Sequence, residues 1–165
     1  MSTKAEVRGV RREEGSAGKA GSSRGLVLYY VAALVALVGL ADAVYLTVGH
    51  LTGMDMRCTI TTGCNEVLGS SYASIAGIPV AGLGALAYFS AFSLATLAAF
   101  DYRWARAALA ALVALMFLAT LWFLYLQAFV IKHFCQYCLL SAATTITLAG
   151  IMLASRLLQR RDEGA

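Results

Sequence analysis

Charged residues are scarce in this sequence. They make up 13% of the 165 residues, against about a quarter in an ordinary soluble domain, while 60% of the residues are hydrophobic. The chain has a single proline, and it contains neither an internal repeat nor a glycine-rich phosphate loop. These features exclude an ordinary soluble domain and a repeat array. Apolar runs of about 20 residues recur instead, which indicates an integral helical membrane protein.

Four apolar segments are long enough to cross a membrane. They cover about residues 26–50, 79–100, 107–131 and 135–158. The sequence therefore predicts an all-α membrane protein, a bundle of four transmembrane helices. In the long polar connection after the first span, we expect a short loop helix that begins near Cys64 and is capped by Thr61 or Thr62.

The composition also predicts three parts of the chain. Residues 1–24 are polar and lack apolar periodicity, so we expect a disordered cytoplasmic tail. Residues 25–159 form the transmembrane domain, and residues 160–165 form a second cytoplasmic tail.

The distribution of Lys and Arg predicts the orientation in the membrane. Eleven of the thirteen lie in the N-terminal tail, in the turn between the second and third spans, or at the C-terminus. We expect a multi-pass protein of the inner or plasma membrane. The positive-inside rule places these segments, and hence both termini, in the cytoplasm. The net charge of +4 then requires no nucleic acid. All four cysteines lie on the extracytoplasmic side, where disulfides form and persist.

The cysteines form two pairs. Cys135 and Cys138 make a C-x-x-C where a polar turn leads into the fourth span, and Cys58 and Cys64 lie in the long polar connection. A helix N-terminus favours thiolate over thiol, and the thiolate is the nucleophile in thiol–disulfide exchange. The arrangement suits a relay in which the loop pair meets a soluble protein and the other pair meets a molecule dissolved in the membrane.

Other interpretations of the cysteines remain open at this point. Cys135 and Cys138 could serve as small buried apolar side chains. The four cysteines together could hold one zinc ion, although the five-residue gap between Cys58 and Cys64 exceeds the usual ligand spacing of about two to four residues. Two structural disulfides could instead staple a membrane scaffold. We expect no metal site.

Several single residues within the spans carry further expectations. Asp42 is an acid inside the first span, which costs free energy, so it is either functional or a neutral side chain hydrogen-bonded to a neighbouring helix. Pro79 suits the first turn of the second span. Gly82 and Gly84 offer small surfaces for close helix approach. Gln127 is expected to hydrogen-bond across helices.

With these motifs in place, the sequence resembles the vitamin K epoxide reductase family, in its bacterial or archaeal branch, over about residues 26–158. The resemblance is carried by an ordered series of motifs: Tyr45-Leu46 followed by His50, Cys58-x5-Cys64, Asn65-Glu-Val-Leu-Gly-Ser70-Ser-Tyr72, Gly77-Ile-Pro79, Gly84-x3-Tyr88, and Cys135-Gln-Tyr-Cys138.

The resemblance implies a four-helix bundle around a quinone pocket, with electrons passing from thiols to ubiquinone, menaquinone or a vitamin K-type quinone. It implies that Cys138 faces the quinone and that Cys135 is its partner, attacked by Cys64. It also implies that Cys58 and Cys64 form a shuttle disulfide, and that Ser70 holds the loop helix over the pocket and helps to bind the cofactor.

The resemblance further implies a redox partner, a DsbA-like thioredoxin-fold protein joined through Cys58. We expect that partner to be a separate protein, because many bacterial members carry a fused thioredoxin-like domain and this chain has none. Animal members have a tyrosine four residues after the second C-x-x-C cysteine, where this chain has Ala142. That difference argues against epoxide reduction.

Overall fold

A computed structural model describes residues 3–53, 63–75 and 77–163. Four helices in this part of the chain are long and apolar enough to cross a membrane. Their candidate spans are Gly25–Thr52, Val80–Ala99, Arg103–Ile131 and Gln136–Leu158. The protein is therefore an all-α, multi-pass membrane protein, as the sequence predicts.

The first helix, α1, extends over Thr3–Thr52 and so begins well before its span. This differs from the prediction that residues 1–24 are disordered. Residues 3–24 contain no proline, and their Ala, Glu, Lys and Arg residues favour helix, so the helix of the span can continue into them. The division of the chain into two tails and a transmembrane domain stays a prediction.

The connection after α1 contains a short helix and a two-stranded hairpin. Helix α2 covers Cys64–Leu68, and strands β1 (Ser74–Ile75) and β2 (Ile78–Pro79) pair antiparallel. The predicted loop helix is confirmed, with Gly63 at its N-cap; Thr61 and Thr62 lie outside the described residues. Pro79 does not enter the first helical turn as predicted, because its extended backbone ends β2 and caps α3.

The remaining helices follow in order. Helix α3 covers Val80–Ala99 and α4 covers Arg103–Tyr125. A π-helix, Leu126–Ile131, continues α4, and Lys132 ends it in the left-handed conformation with φ 57°. Helix α5, Gln136–Glu163, completes the bundle.

Small side chains line the contacts between the helices. Ala32, Ala36, Ala91 and Ala95 are completely buried, whereas many large aliphatic residues, such as Leu115 at 66%, are exposed on the outside. An interior of small residues and an apolar exterior are typical of helices that pack in lipid rather than in water. A Cβ atom placed on Gly82 or Gly84 would be in van der Waals contact with Thr47 or Ala43 of α1, so the two helices approach closely at these glycines, as predicted.

Candidate active site

The C-x-x-C lies at the junction between the π-helix and α5. Cys135 is fully buried immediately before α5, and its carbonyl accepts the first helical hydrogen bond, from the N–H of Leu139 at 3.0 Å. Cys138 lies in the first turn of the helix and is half-buried. Both are free thiols. The helix begins where the sequence predicts it, so the pair sits at the positive end of a helix dipole.

Gln127 anchors the start of this helix. Its side-chain oxygen accepts a hydrogen bond of 3.1 Å from the backbone N–H of Cys135. Gln127 is itself buried. A buried N–H without an acceptor is costly, so this contact stabilises the turn that holds the thiol pair. The predicted hydrogen bond of Gln127 is therefore present, although it reaches the beginning of α5 rather than a residue within another helix.

The environment of Cys135 favours its ionised form. The Cys138 thiol donates a hydrogen bond to it and lowers the pKa of Cys135 to about 7, with smaller help from the backbone N–H groups of Tyr137 and Cys138. Burial opposes this shift. The result agrees with the expectation that one thiol of a C-x-x-C at a helix start is unusually acidic.

This predicts a titration that can be seen near neutral pH. Because the pKa of Cys135 is lowered, the thiolate should form as the pH rises through about 7 rather than near 9. The ultraviolet absorbance of the thiolate in fully reduced protein, corrected by the spectrum of Cys135→Ser, measures this directly. A wild-type difference spectrum that rises only in the range of a free cysteine would contradict the prediction.

Cys64 reaches the same place from the loop. It is 1% exposed at the first position of α2, and it is disulfide-bonded. It shares one buried apolar cluster with Cys135, Leu46 and Val67, against which Cys138 is packed. The structure thus brings three of the four predicted site cysteines together. Cys58 lies outside the described residues.

Gly63 shows how closely the loop approaches the C-x-x-C. A Cβ atom placed on Gly63 would lie 2.6 Å from the Cβ of His133 and 3.1 Å from the backbone N and O of Phe134. His133 and Phe134 immediately precede Cys135. The two segments that carry Cys64 and Cys135 are therefore in contact through a position where only glycine fits without displacement.

A cavity of about 430 Å³ opens beside Cys138. Its wall is contributed by all four long helices, the π-helix and the connection that carries α2. Most of the lining is aliphatic or aromatic, including Leu46, Leu112, Met116 and Phe123. A concave, largely apolar site with a few polar groups, of roughly 300–1,000 Å³, is typical of a small-molecule site.

Ser70 lies at the end of the loop helix and on the cavity wall. Its hydroxyl donates a hydrogen bond of 2.7 Å to the carbonyl of Val67, within α2. The contact ties Ser70 to the end of α2, and its part in holding the loop helix over the pocket stays a prediction. Cofactor binding by Ser70 stays a prediction, as do the individual roles of the cysteines.

A hydroxyl cluster around Tyr88 forms a second polar part of the wall, and the sequence analysis did not identify its function. The Tyr88 hydroxyl lies 2.8 Å from the carbonyl oxygen of Ser141 and 2.8 Å from the hydroxyls of Thr144 and Thr145. The Tyr88 ring packs against Gly39, where an added Cβ would approach the ring to 2.3 Å. The only sign of this cluster in the sequence is that Ser141, Thr144 and Thr145 lie about one helical turn apart in an otherwise apolar span.

Asp42 also lines the cavity. It is 8% exposed, and its Oδ2 atom has no hydrogen-bond partner among the described residues. Within the described part of the chain, this oxygen therefore lacks the hydrogen-bond partner that a purely structural aspartate would need. Cys138 lines the same cavity.

The described residues hold no group of three or more His, Cys, Asp or Glu side chains placed to bind a metal ion. Cys58, the fourth member of the alternative zinc site, lies outside those residues. A disulfide-bonded Cys64 is not a thiolate ligand, and two free thiols at Cys135 and Cys138 do not staple a scaffold.

Comparison with protein families agrees with this arrangement. The sequence model of the vitamin K epoxide reductase family matches residues 30–153, which include most of the first and fourth spans and all of the second and third. The match contains the loop cysteines, the C-x-x-C and every helix that lines the cavity. This match over most of the chain, which agrees with a four-helix bundle whose Cys138 lines an apolar cavity, shows that the chain belongs to the vitamin K epoxide reductase family.

Proposed function

We propose that this protein oxidises the dithiol of a thioredoxin-fold partner and passes the electrons to a membrane quinone, thereby supporting disulfide formation outside the cytoplasm. Its family makes it a membrane oxidoreductase of thiols. The observation that carries the rest of the proposal is the buried cluster that brings Cys64 and Cys135 together with Cys138, which itself lines the apolar cavity.

The first electron transfer would take place between protein cysteines. In the reduced loop pair, the Cys64 thiolate attacks the Cys135 sulfur of an oxidised Cys135–Cys138 pair, and Cys138 leaves as a thiolate. Cys58 then attacks Cys64 and releases Cys135, which closes a Cys58–Cys64 disulfide. Two electrons have then moved from the loop pair to the C-x-x-C. The shared buried cluster of Cys64 and Cys135 supports this route.

The residues around the cavity fit a quinone. Its largely apolar wall suits a flat ring, and Cys138 places a thiol on that wall. When bound, a quinone supplies a two-electron acceptor, and the protein supplies orientation and a site from which water is excluded. The chemistry suits ubiquinone, menaquinone or a vitamin K-type quinone alike. Leu83 and Leu115 line the cavity and are also largely exposed, which favours a substrate dissolved in the membrane.

The charges support the proposed orientation, and the chemistry of the thiols supports the proposed partner. Eleven of thirteen Lys and Arg residues lie within residues 1–24, at the beginning of α4 or in the last ten residues, and this distribution favours both termini in the cytoplasm with the thiols facing outward. There, Cys58 would join a DsbA-like partner in a mixed disulfide before Cys64 resolves it. The partner carries its own reactive dithiol.

Reconstituted protein tests the proposal. In lipid vesicles containing ubiquinone or menaquinone, addition of a reduced thioredoxin-fold protein should produce quinol and oxidised partner in equal amounts, followed by quinone absorbance and by thiol alkylation. Vesicles without protein, and protein whose thiols have been blocked with N-ethylmaleimide, are the controls. If the partner stays reduced with every quinone, and quinone alone fails to oxidise the Cys135/Cys138 pair, the proposed function is wrong.

A further inference from the structure

The electron transfer just proposed also moves protons, and the cavity contains few groups that can carry them. The titratable side chains on its wall are Asp42 and His50 from α1, Tyr72 from the connection after α2, Tyr88 from α3, and Cys138 from α5. The lining residues of α4 and the π-helix include none. Cys135 lies buried beside Cys138.

Three of these groups are poorly placed for the task. His50 and Tyr72 are exposed, at the end of the cavity formed by the end of α1 and the loop. The Tyr88 hydroxyl is surrounded by the carbonyl of Ser141 and by three hydroxyls, so it already has its full set of partners. Asp42 alone combines burial, a position on the wall and an oxygen without a hydrogen-bond partner among the described residues.

An unpartnered carboxyl oxygen inside an apolar bundle costs free energy, whether the group is charged or neutral. Simple packing would be served better by a leucine at this position. The neighbours of Asp42 on the wall include Ala43 and Leu46 from its own helix, and neither offers a hydrogen bond from a side chain. The carboxyl is thus free to exchange a proton with a molecule or a thiol in the cavity.

We infer that Asp42 is the proton-transfer group of the quinone site. The inference rests on the proposed function. Oxidation of the Cys135/Cys138 dithiol forms one S–S bond and releases two electrons and two protons. Asp42 accepts the proton of the Cys138 thiol and donates it to an oxygen of the quinone. The more acidic Cys135 gives up its proton separately, and the second proton of the quinol comes from water at the open end of the cavity.

The test compares Asp42→Asn, which keeps the shape but cannot transfer a proton, with Asp42→Glu, which can. With pre-reduced protein and added quinone, Asp42→Asn should slow quinone reduction by about 10²-fold or more, in the range expected for loss of a general acid–base group, while Asp42→Glu should recover much of the rate. Thiol–disulfide exchange with the partner should be unchanged. The matched control is Asp101→Asn, an exposed acid in the α3–α4 turn that pairs with Arg106.

A second measurement does not depend on turnover. Fully oxidised protein cannot reduce quinone. In this state, the infrared carboxyl band of Asp42 is isolated by subtracting the spectrum of Asp42→Asn, and the band should shift when quinone is added. Quinone affinity and the melting temperature of Asp42→Asn should match those of the wild type.

The possible outcomes separate this inference from the proposed function. If the wild type reduces quinone and Asp42→Asn does so at the same rate, the role of Asp42 is refuted and the proposed function stands. A slow Asp42→Asn that has also lost quinone binding or thermal stability refutes that role too, because Asp42 would then be structural. A wild type that cannot reduce quinone overturns the proposed function, and an unmoved infrared band then removes the role of Asp42 as well.

Discussion

Replacement of Cys138 by serine should abolish quinone reduction and leave Cys64 and Cys135 joined by a disulfide. In this variant, Cys135 can still attack Cys64, its neighbour in the buried cluster, and displace the other sulfur of the disulfide. Without Cys138 there is no second thiol to attack Cys135 and complete the transfer. The rate of quinone reduction should therefore fall to that of vesicles without protein.

The trapped species can be identified by mass spectrometry. The released loop thiol is first alkylated so that it cannot attack Cys64 again. Proteolysis without reductant should then yield a peptide pair that joins the segment of Cys64 to that of Cys135. The double variant Cys135→Ser/Cys138→Ser, in which this bond cannot form, is the matched control. Normal quinone reduction by Cys138→Ser would refute the proposed electron route, and absence of the cross-linked pair would refute the contact of the two segments.

The second large effect is expected at Gly63. Its backbone, with φ −99° and ψ 14°, is accessible to any residue, so a substitution acts through its side chain alone. Gly63→Val would place atoms within 2.6 Å of the His133 Cβ and against the backbone of Phe134, which forces the α2 segment away from the turn before Cys135. A displacement of about 1 Å between reacting groups can cost about 10²-fold in rate, so electron transfer from the loop pair to the C-x-x-C should slow by about that factor.

This effect can be separated from general damage. The first rate is that of electron transfer from the reduced loop pair to the oxidised C-x-x-C, measured by rapid acid quenching and alkylation. The second is the rate at which the protein reduces quinone directly with electrons from a small dithiol. Gly63→Val should slow the first and spare the second. Gly150→Ala is the matched control, because an added Cβ there meets nothing within 4 Å. An unchanged transfer rate in Gly63→Val would mean that the loop does not need this contact.

The sequence predicts the four-helix architecture well because lipid imposes one dominant requirement on it. Each span must be a long apolar helix, so hydropathy alone locates it. Charged or polar turns such as the one that holds Asp101 limit each run. Hydropathy starts the third span at 107, four residues after the helix begins at Arg103, because a helix that leaves the membrane can continue through polar residues.

The details of the site depend on contacts between distant residues, and hydropathy carries little information about them. Tyr88 lies 53 residues before Ser141, and nothing in its own segment distinguishes it from a packing aromatic residue. The volume of the cavity likewise exists only once the helices are assembled. Asp42 is an example. The free-energy cost of an aspartate within a membrane span can be predicted from the sequence, but the cavity that Asp42 shares with the Cys138 thiol cannot.

Cysteine spacing is more informative than any other local pattern in this chain. The C-x-x-C at the beginning of an apolar run predicts a helix start at about Cys135, one residue before the observed start at Gln136. The buried cluster of Cys64 and Cys135 is compatible with the relay that the two pairs suggest. The contact at Gly63 has no comparable sign in the sequence, since glycine is common before short helices whether or not another segment packs against it.

The π-helix over Leu126–Ile131 limits the changes in length that this part of the chain can accept. A π-helix usually corresponds to one residue inserted into an α-helix. Deleting one residue after Gln127 would shorten the segment that joins it to Cys135 and move the two residues relative to each other. Gln127 would then lose its alignment with the N–H of Cys135. The length of this apolar stretch is therefore constrained more tightly than its composition. Substitutions of one apolar residue for another should be tolerated there, whereas insertion or deletion of a single residue should not.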